Sequence, residues 1–420
     1  MAPLAESLAA AAAIVARVAA GRSLTIETER NNAEAGESRA AVRDICYGTL
    51  RRYGRSQALV RTLSSRAQIT DPLVEALLWC ALYAIESGRY TDYTVVDQAA
   101  RACVLASQHR AKGYVNAVLR NFLRSRPALD ARLRSDSEAC YWHPAWWIER
   151  VRTAYPAEWE QVLAAGNSHP PMALRVNARR TTAADYGARL AAQGTKARLL
   201  AEGALLLDRP LPVARLPGFA EGVVSVQDAG AQRAAPLLRL ERGQRVLDAC
   251  AAPGGKAAHI LERAEVELTA LDIDDARCAD IERNLARLGL SARVRAADCC
   301  ELERWWDETP FDRILADVPC SASGVARRHP DAKWLRRASD LERFAARQAR
   351  ILDALWRVLA PGGKLLYVTC SVFTEENGAV VDAFLERTGN ARRAADADDV
   401  RLLPGPEHDG FFFALLEKRA

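Results

Sequence analysis

The sequence predicts a doubly wound α/β domain with a mostly parallel sheet in its C-terminal part, preceded by a small α/β segment and an all-α N-terminal domain. Three observations predict this. Apolar residues recur at helical spacing through the first third, short apolar runs alternate with helices from residue 241, and three of those runs end in an aspartate. With 420 residues the chain is long enough for two or three domains, each with its own core. Half of the residues are apolar and 26% are charged, which excludes wholesale disorder and a disulfide scaffold. The apolar run from Leu8 to Ala16 falls short of the ~18 to 20 residues a membrane span needs, and no basic stretch precedes it. No membrane contact is expected, and ten cysteines without a secretion signal suit a cytoplasmic location.

The first domain, residues 1–135, reads as helices over 4–20, 38–63, 72–87, 94–107 and 111–124. Residues 1–140 carry 19 Lys and Arg against 14 Asp and Glu, so the net charge of the whole chain, +5, is already present there. Arg39, Arg43, Arg51, Arg52, Arg55 and Arg61 recur along one segment, either as a face toward phosphates or as an ordinary solvated face. Residues 130–140 turn polar and read as a linker. The middle stretch, 141–240, reads as a small mixed α/β subdomain. Its Trp142, Trp146, Trp147 and Trp159 are open to two readings, core packing and base stacking.

In the third domain, 241–420, ligands are expected beyond the carboxyl ends of the strands, so the residues after each strand matter most. The first strand runs into Asp248-Ala-Cys250-Ala251-Ala252-Pro253-Gly254-Gly255-Lys256, where the paired glycines allow a tight bend and a close ligand approach. This is not a phosphate-binding P-loop, because Cys250 stands where its first Gly belongs and Ala257 follows the Lys. The second strand ends at Asp272, 24 residues after Asp248, where a carboxylate takes ribose hydroxyls; the third ends at Asp298, an acceptor for an adenine amino group. Each acid alone is commonly a helix cap, but three in succession after a Gly-rich turn point to an adenosine-containing cofactor. The fourth and fifth strands deliver Cys320, in Asp317-Val-Pro-Cys, and Cys370, in Thr-Cys-Ser, to the same edge. Buried Cys is a common packing residue, yet two at neighbouring strand ends suit thiol chemistry. No Cys-x-x-Cys pair or metal-spaced His occurs, so no metal is expected.

These motifs, DACAAPGGK, LDID, Asp298, DVPCSASGV with RRHPDAKW, and YVTCSVFTEEN, together resemble the RsmB/NOP family of RNA 5-methylcytosine methyltransferases. MALRVN and SVQDAGAQ resemble that family's N-terminal subdomain, and residues 1 to about 130, with YVNAVLRNFLR, resemble a NusB-type RNA-binding domain. The resemblance implies a Rossmann-like class I methyltransferase fold and S-adenosyl-L-methionine as cofactor. It implies 16S ribosomal RNA as substrate, at the cytidine usually numbered 967. It assigns Cys370 as the nucleophile, Cys320 to product release, and Asp317 to the base edge and the cofactor border. By sequence logic alone Cys320 and Cys370 are nearly equal choices for the nucleophile. Cys250 to Lys256, Asp272, Asp298 and Asp317 are implied to hold the cofactor, with Lys256 toward its carboxylate or a nearby acid. Arg327, Arg328, His329 and Lys333 suit either phosphate contacts or loop structure. The alternatives are a transfer RNA 5-methylcytosine methyltransferase and a NusB-like assembly factor. A fragment beginning near residue 141 is expected to keep cofactor binding and to bind RNA more weakly, with a smaller salt dependence.

Overall fold

The computed structural model describes residues 4–32, 39–64, 71–201, 203–395 and 397–419. By contact the chain forms two compact units, Met1–Ser168 with Ala326–Ala338, and His169–Val325 with Ser339–Ala420.

The first unit is helical, as predicted. Its central helix, Pro72–Glu86, is apolar on nearly every face and buries Val74 and Ala76 through Ile85. Asp71 caps it by accepting from the Leu73 and Val74 amides, and Pro72 sits in the first turn, where its missing N–H costs nothing. Leu4–Ala19 packs on it through Leu8, Ala11, Ile14, Val15 and Val18, a stripe at helical spacing. The expected helix over 38–63 is two helices, Arg39–Arg51 and Tyr53–Leu63. Leu24–Asn32, too polar to show an apolar period, is a helix that the sequence reading missed.

The expected linker at 130–140 is corrected. Lys112–Leu133 continues to bury Leu129 and Leu133 past the predicted end at 124, Arg55 reaches Asp130 at 2.5 Å, and Ser137–Tyr141 forms another helix. A polar-looking stretch is helical because two leucines suffice to seat it. The helices up to Asn167, expected in the middle subdomain, belong to the helical unit by contact. Trp147 is a fully buried core residue, while Trp142, Trp146 and Trp159 are half-buried.

The segment Ala326–Ala338 is also part of this unit. Lys333, 0% exposed, donates to the Arg51 carbonyl at 3.0 Å, the Trp142 carbonyl at 2.8 Å and Asn167 Oδ1 at 2.7 Å. The Trp334 indole donates to the Leu50 carbonyl, and the Arg51 guanidinium donates to the Arg327 carbonyl. Lys333 and Arg327 are therefore buried, and the expectation that they touch phosphates is corrected for both. Of the arginine series, Arg39, Arg43 and Arg61 are exposed, whereas Arg51 is buried and Arg55 pairs with Glu86 and Asp130.

The second unit holds two sheets. The smaller is antiparallel and is built from β1 (Met172–Val176), β2 (Ala197–Leu199), β3 (Leu205–Leu207) and β4 (Val224–Val226) in the order β2-β3-β1-β4. The larger contains β5 (Arg245–Asp248), β6 (Glu267–Asp272), β7 (Arg293–Ala296), β8 (Phe311–Asp317), β9 (Leu359–Thr369), β10 (Ala391–Arg393), β11 (Val400–Leu402) and β12 (Phe411–Lys418). Its order is β10-β12-β9-β8-β5-β6-β7, with β11 paired to β12. Strands β5 to β9 pair in parallel, and β10 to β12 are antiparallel, which is the mostly parallel, doubly wound, Rossmann-like sheet that the sequence predicts. From β5 the chain winds outward through β6 and β7, then returns to β8 on the other side. Ligands bind at such a switch point, beyond the carboxyl ends of β5 and β8.

Candidate active site

A cavity of about 350 Å³ lies at those strand ends. Cys250 and Ala252 line it from the turn after β5, Asp272 and Ile273 from β6, Asp298 and Cys299 from β7, Asp317 and Cys320 from β8, and Cys370 from β9. Ala251, Pro253, Gly254, Gly255 and Lys256 are not among its lining residues, and they shape the turn instead. Ala251 donates to the Leu271 carbonyl at 2.7 Å, and Pro253 is exposed. Gly254 has φ +90°, and a Cβ there would meet Ile281 Cα at 3.1 Å, so glycine is required where the helix Gly255–Arg263 begins.

Each acid has a defined setting. Asp272 accepts from the Ala252 amide at 3.2 Å and from Arg277 at 3.3 Å, which ties the turn after β5 to β6. Asp298 accepts from the Cys300 amide at 2.9 Å. Asp317 accepts from Lys256 Nζ at 2.5 Å, so the lysine faces an acid of the site. Asp248 is 0% exposed, and neither carboxylate oxygen takes a well-formed hydrogen bond. Burial, then the charge of Asp317, pushes it up to about 7, with Lys256 and the Cys250 amide opposing.

The two expected thiols meet: Cys320 Sγ lies 3.3 Å from Cys370 Sγ. A buried network fixes them. Glu376 accepts from the Ser321 amide at 2.7 Å and from the Ser371 hydroxyl at 2.6 Å, so one carboxylate ties the residue after each cysteine. Gln348 holds the Pro319 carbonyl at 3.0 Å, and the Tyr367 hydroxyl donates to the Glu376 carbonyl at 2.7 Å. The Gly324 amide donates to the Cys370 carbonyl at 2.8 Å. The hydrogen bond with Cys370, together with burial, pushes the Cys320 thiol well up. The Lys256 ammonium lies within electrostatic reach of Cys370, so of the pair Cys370 is the thiol beside a positive charge.

A residue that sequence reading missed supports the turn from the small sheet. Arg175, 3% exposed, pairs with both oxygens of Glu262 at 2.8 Å and donates to Gln227 at 2.6 Å and to the Gly255 carbonyl at 2.7 Å. Glu376, Gln348 and Ser371 were missed as well. They touch the cysteines' neighbours in space; Ser371 and Glu376 lie within YVTCSVFTEEN, whereas nothing in the sequence pointed to Gln348 on the helix Asp340–Val358.

Residues 235–417 match the 16S rRNA methyltransferase RsmB/F family, 143–214 its ferredoxin-like domain, and 6–124 the NusB family. The chain is 43% identical to ribosomal RNA small subunit methyltransferase B of Vibrio cholerae over 388 residues, which cover 90% of this chain and 89% of that one. The chain belongs to the RsmB/F family of methyltransferases. The ribosomal RNA small subunit methyltransferase B of Escherichia coli O17:K52:H18 is 41% identical over 392 residues, which cover 91% of each chain. Among solved structures, a methyltransferase homolog from Pyrococcus horikoshii is 26% identical with a TM-score of 0.59, covering 67% of this chain and 98% of that one. The protein titled PH0851, 23% identical, shares the fold with a TM-score of 0.80 over 98% of this chain and 99% of that one.

S-adenosylmethionine is the cofactor of this family, and the cavity fits it. Its volume lies in the ~300 to 1,000 Å³ range of small-molecule sites. Its acids offer acceptors to ribose hydroxyls and to an amino group, and Ile273, 59% exposed, offers an apolar wall. Among the described residues, no helix is long and apolar enough to cross a membrane.

Proposed function

We propose that this methyltransferase acts on C5 of a cytidine in 16S ribosomal RNA, the position usually numbered 967, through a covalent bond between Cys370 and C6 of the base. The observation that carries this reading is the pair of thiols 3.3 Å apart on the wall of the cofactor cavity. Asp272 and Asp298 hold the adenosine end of the cofactor, the turn from Cys250 to Lys256 borders its methionine end, and Asp317 stands between cofactor and base. Bound there, S-adenosylmethionine supplies an electrophilic methyl group.

C5 of cytosine is a weak nucleophile. A Cys370 thiolate that adds to C6 pushes electron density onto C5. Asp317 accepts from the N4 amino group at the N3/N4 edge, which holds the base in place at the thiols. Once Cys370 is bonded to C6, its hydrogen bond and charge no longer hold the Cys320 proton; Cys320 releases that proton to solvent, takes the C5 proton after methylation, the C5–C6 double bond re-forms and the Cys370–C6 bond breaks, returning Cys370 as thiolate. The target base leaves its stack to reach these half-buried thiols, which suits a single-stranded or opened RNA segment.

The NusB match over 6–124 favours ribosomal over transfer RNA, and the assembled thiol pair favours an enzyme over an assembly factor. Transfer of tritium from labelled S-adenosylmethionine is expected to protein-free 16S rRNA and not to bulk tRNA. Preferential labelling of tRNA would make the transfer RNA reading the correct one.

A further inference from the structure

The segment SVQDAGAQ leaves the end of β4, and two adjacent side chains in it reach different parts of the reaction. Neighbouring residues on an extended chain point to opposite sides, and the contacts of Gln227 and Asp228 divide accordingly. Gln227 Oε1 accepts from the Arg175 guanidinium at 2.6 Å, and the same nitrogen donates to the Gly255 carbonyl at 2.7 Å, in the turn that borders the cofactor. Asp228 accepts from the Asp409 amide, at 3.1 Å through Oδ1 and 3.2 Å through Oδ2. We infer that Gln227 and Asp228 are positioning residues with separate duties: Gln227 sets the cofactor turn, and Asp228 sets the loop that carries the catalytic thiols.

The path from Asp228 runs through backbone. Asp409 is 0% exposed, so its amide needs an acceptor inside the fold, and Asp228 supplies it. The next amide, of Gly410, donates to the Gly324 carbonyl at 2.8 Å, and the Gly324 amide donates to the Cys370 carbonyl at 2.8 Å. Neither glycine has a side chain to absorb a shift, and a Cβ on Gly410 would meet Gly324 Cα at 2.9 Å. Asp228 is itself held, because Oδ1 also accepts from the Gly230 amide at 2.8 Å. Loss of the carboxylate therefore releases Asp409 and, through Gly410 and Gly324, the backbone of Cys370.

The path from Gln227 is shorter. Its amide donates to the Ala173 carbonyl at 3.1 Å, which fixes it to β1 beside Arg175. Glu262, on the helix that begins at Gly255, takes the guanidinium from another side. Without the Gln227 oxygen, one N–H of this buried guanidinium lacks an acceptor, and the group turns from the Gly255 carbonyl to find one.

The test compares S-adenosylmethionine affinity, by calorimetry, with kcat for methyl transfer to small-subunit rRNA at saturating cofactor, in full-length variants whose Tm is recorded. Asp228→Ala is expected to lower kcat about tenfold or more with cofactor affinity unchanged, since misplaced reacting groups slow chemistry. Asp228→Asn keeps one oxygen for the amide, so its kcat is expected to fall less, again at unchanged affinity. If Asp228→Ala does not fold, this second variant decides by the same split. Gln227→Ala is expected to weaken cofactor binding about tenfold and to keep wild-type kcat once the cofactor saturates.

The duty of Asp228 rests on the reading of Cys370 and Cys320 as the reacting thiols, which Cys370→Ser tests separately. Wild-type methyl transfer by Cys370→Ser would remove that reading, while the Gln227 measurement stands apart from it. With Cys370→Ser inactive, wild-type kcat in both Asp228 variants would overturn the duty of Asp228. Unchanged cofactor affinity in Gln227→Ala would overturn that of Gln227. A parallel loss of kcat and cofactor affinity in both alanine variants, following Tm, would show a shared structural tie and overturn the division between them.

Discussion

Asp248 is buried at the end of β5 and faces the charges of Asp317, Lys256 and Asp272. Its carboxyl is raised from an ordinary 3.8 to about 7, so between those values the folded chain holds a proton that the unfolded chain has lost. Stability from this group is therefore full below the unfolded value and falls as pH rises toward 7, by on the order of 4 kcal/mol. His259, held neutral by burial and lowered to about 2, acts with the opposite sign, losing stability as pH falls through 6.5. Comparison with a variant isolates the aspartate. The difference in Tm between Asp248→Asn and wild type, without cofactor, is expected to grow from pH 4 to 7 and level off above; a difference independent of pH would remove the assignment. At this scale the strand-end residues Asp272, Asp298, Cys320 and Cys370 were legible, because a doubly wound sheet sends every strand end to one edge. Glu376 and Arg175 were not legible, because their roles consist of contacts with residues distant in sequence.

The loop after β8 shows what a sequence does and does not say about an element. In SASG, a Cβ on Gly324 would collide with the Gly410 carbonyl oxygen, and Gly410 donates back to the Gly324 carbonyl at 2.8 Å. Since Gly324 also donates to the Cys370 carbonyl, this contact sets the spacing of the two thiols. Gly324→Ala is expected to lower stability by about 1 to 3 kcal/mol and to reduce kcat more than cofactor affinity. Wild-type Tm and kcat would show that the loop yields without consequence. The next segment, RRHPDAKW, is open in the sequence to two readings, phosphate contacts and loop structure. Its Lys333 is buried because three neutral acceptors converge on its ammonium, a pattern no linear motif displays. The helix continuing past residue 124 was hidden for a related reason: its seating rests on two leucines, Leu129 and Leu133, and on a contact of Asp130 with the distant Arg55.

Over the whole molecule, the helical unit includes Ala326–Ala338, so a cut near residue 141 removes more than an RNA-binding module. It strips away the Arg51 and Leu50 carbonyls that Lys333 and Trp334 use. A fragment of residues 141–420 is therefore expected to unfold at a lower temperature than the full chain, by calorimetry; an equal Tm would contradict the packing described for Lys333. The helical-then-alternating organisation was legible from periodicity, while the assignment of this segment to the helical unit was not. The central claim is covalent catalysis divided between two cysteines, and its most direct measurement is denaturing electrophoresis of protein–RNA adducts formed with S-adenosylmethionine and 16S rRNA. Cys320→Ser is expected to methylate once and remain attached as a shifted band, because release is blocked. Cys370→Ser is expected to give neither band nor product, since a serine hydroxyl is a far weaker nucleophile than a thiolate. An adduct from Cys370→Ser and none from Cys320→Ser would make Cys320 the nucleophile. The absence of any adduct from both, and from active wild type with 5-fluorocytidine RNA, would contradict covalent catalysis.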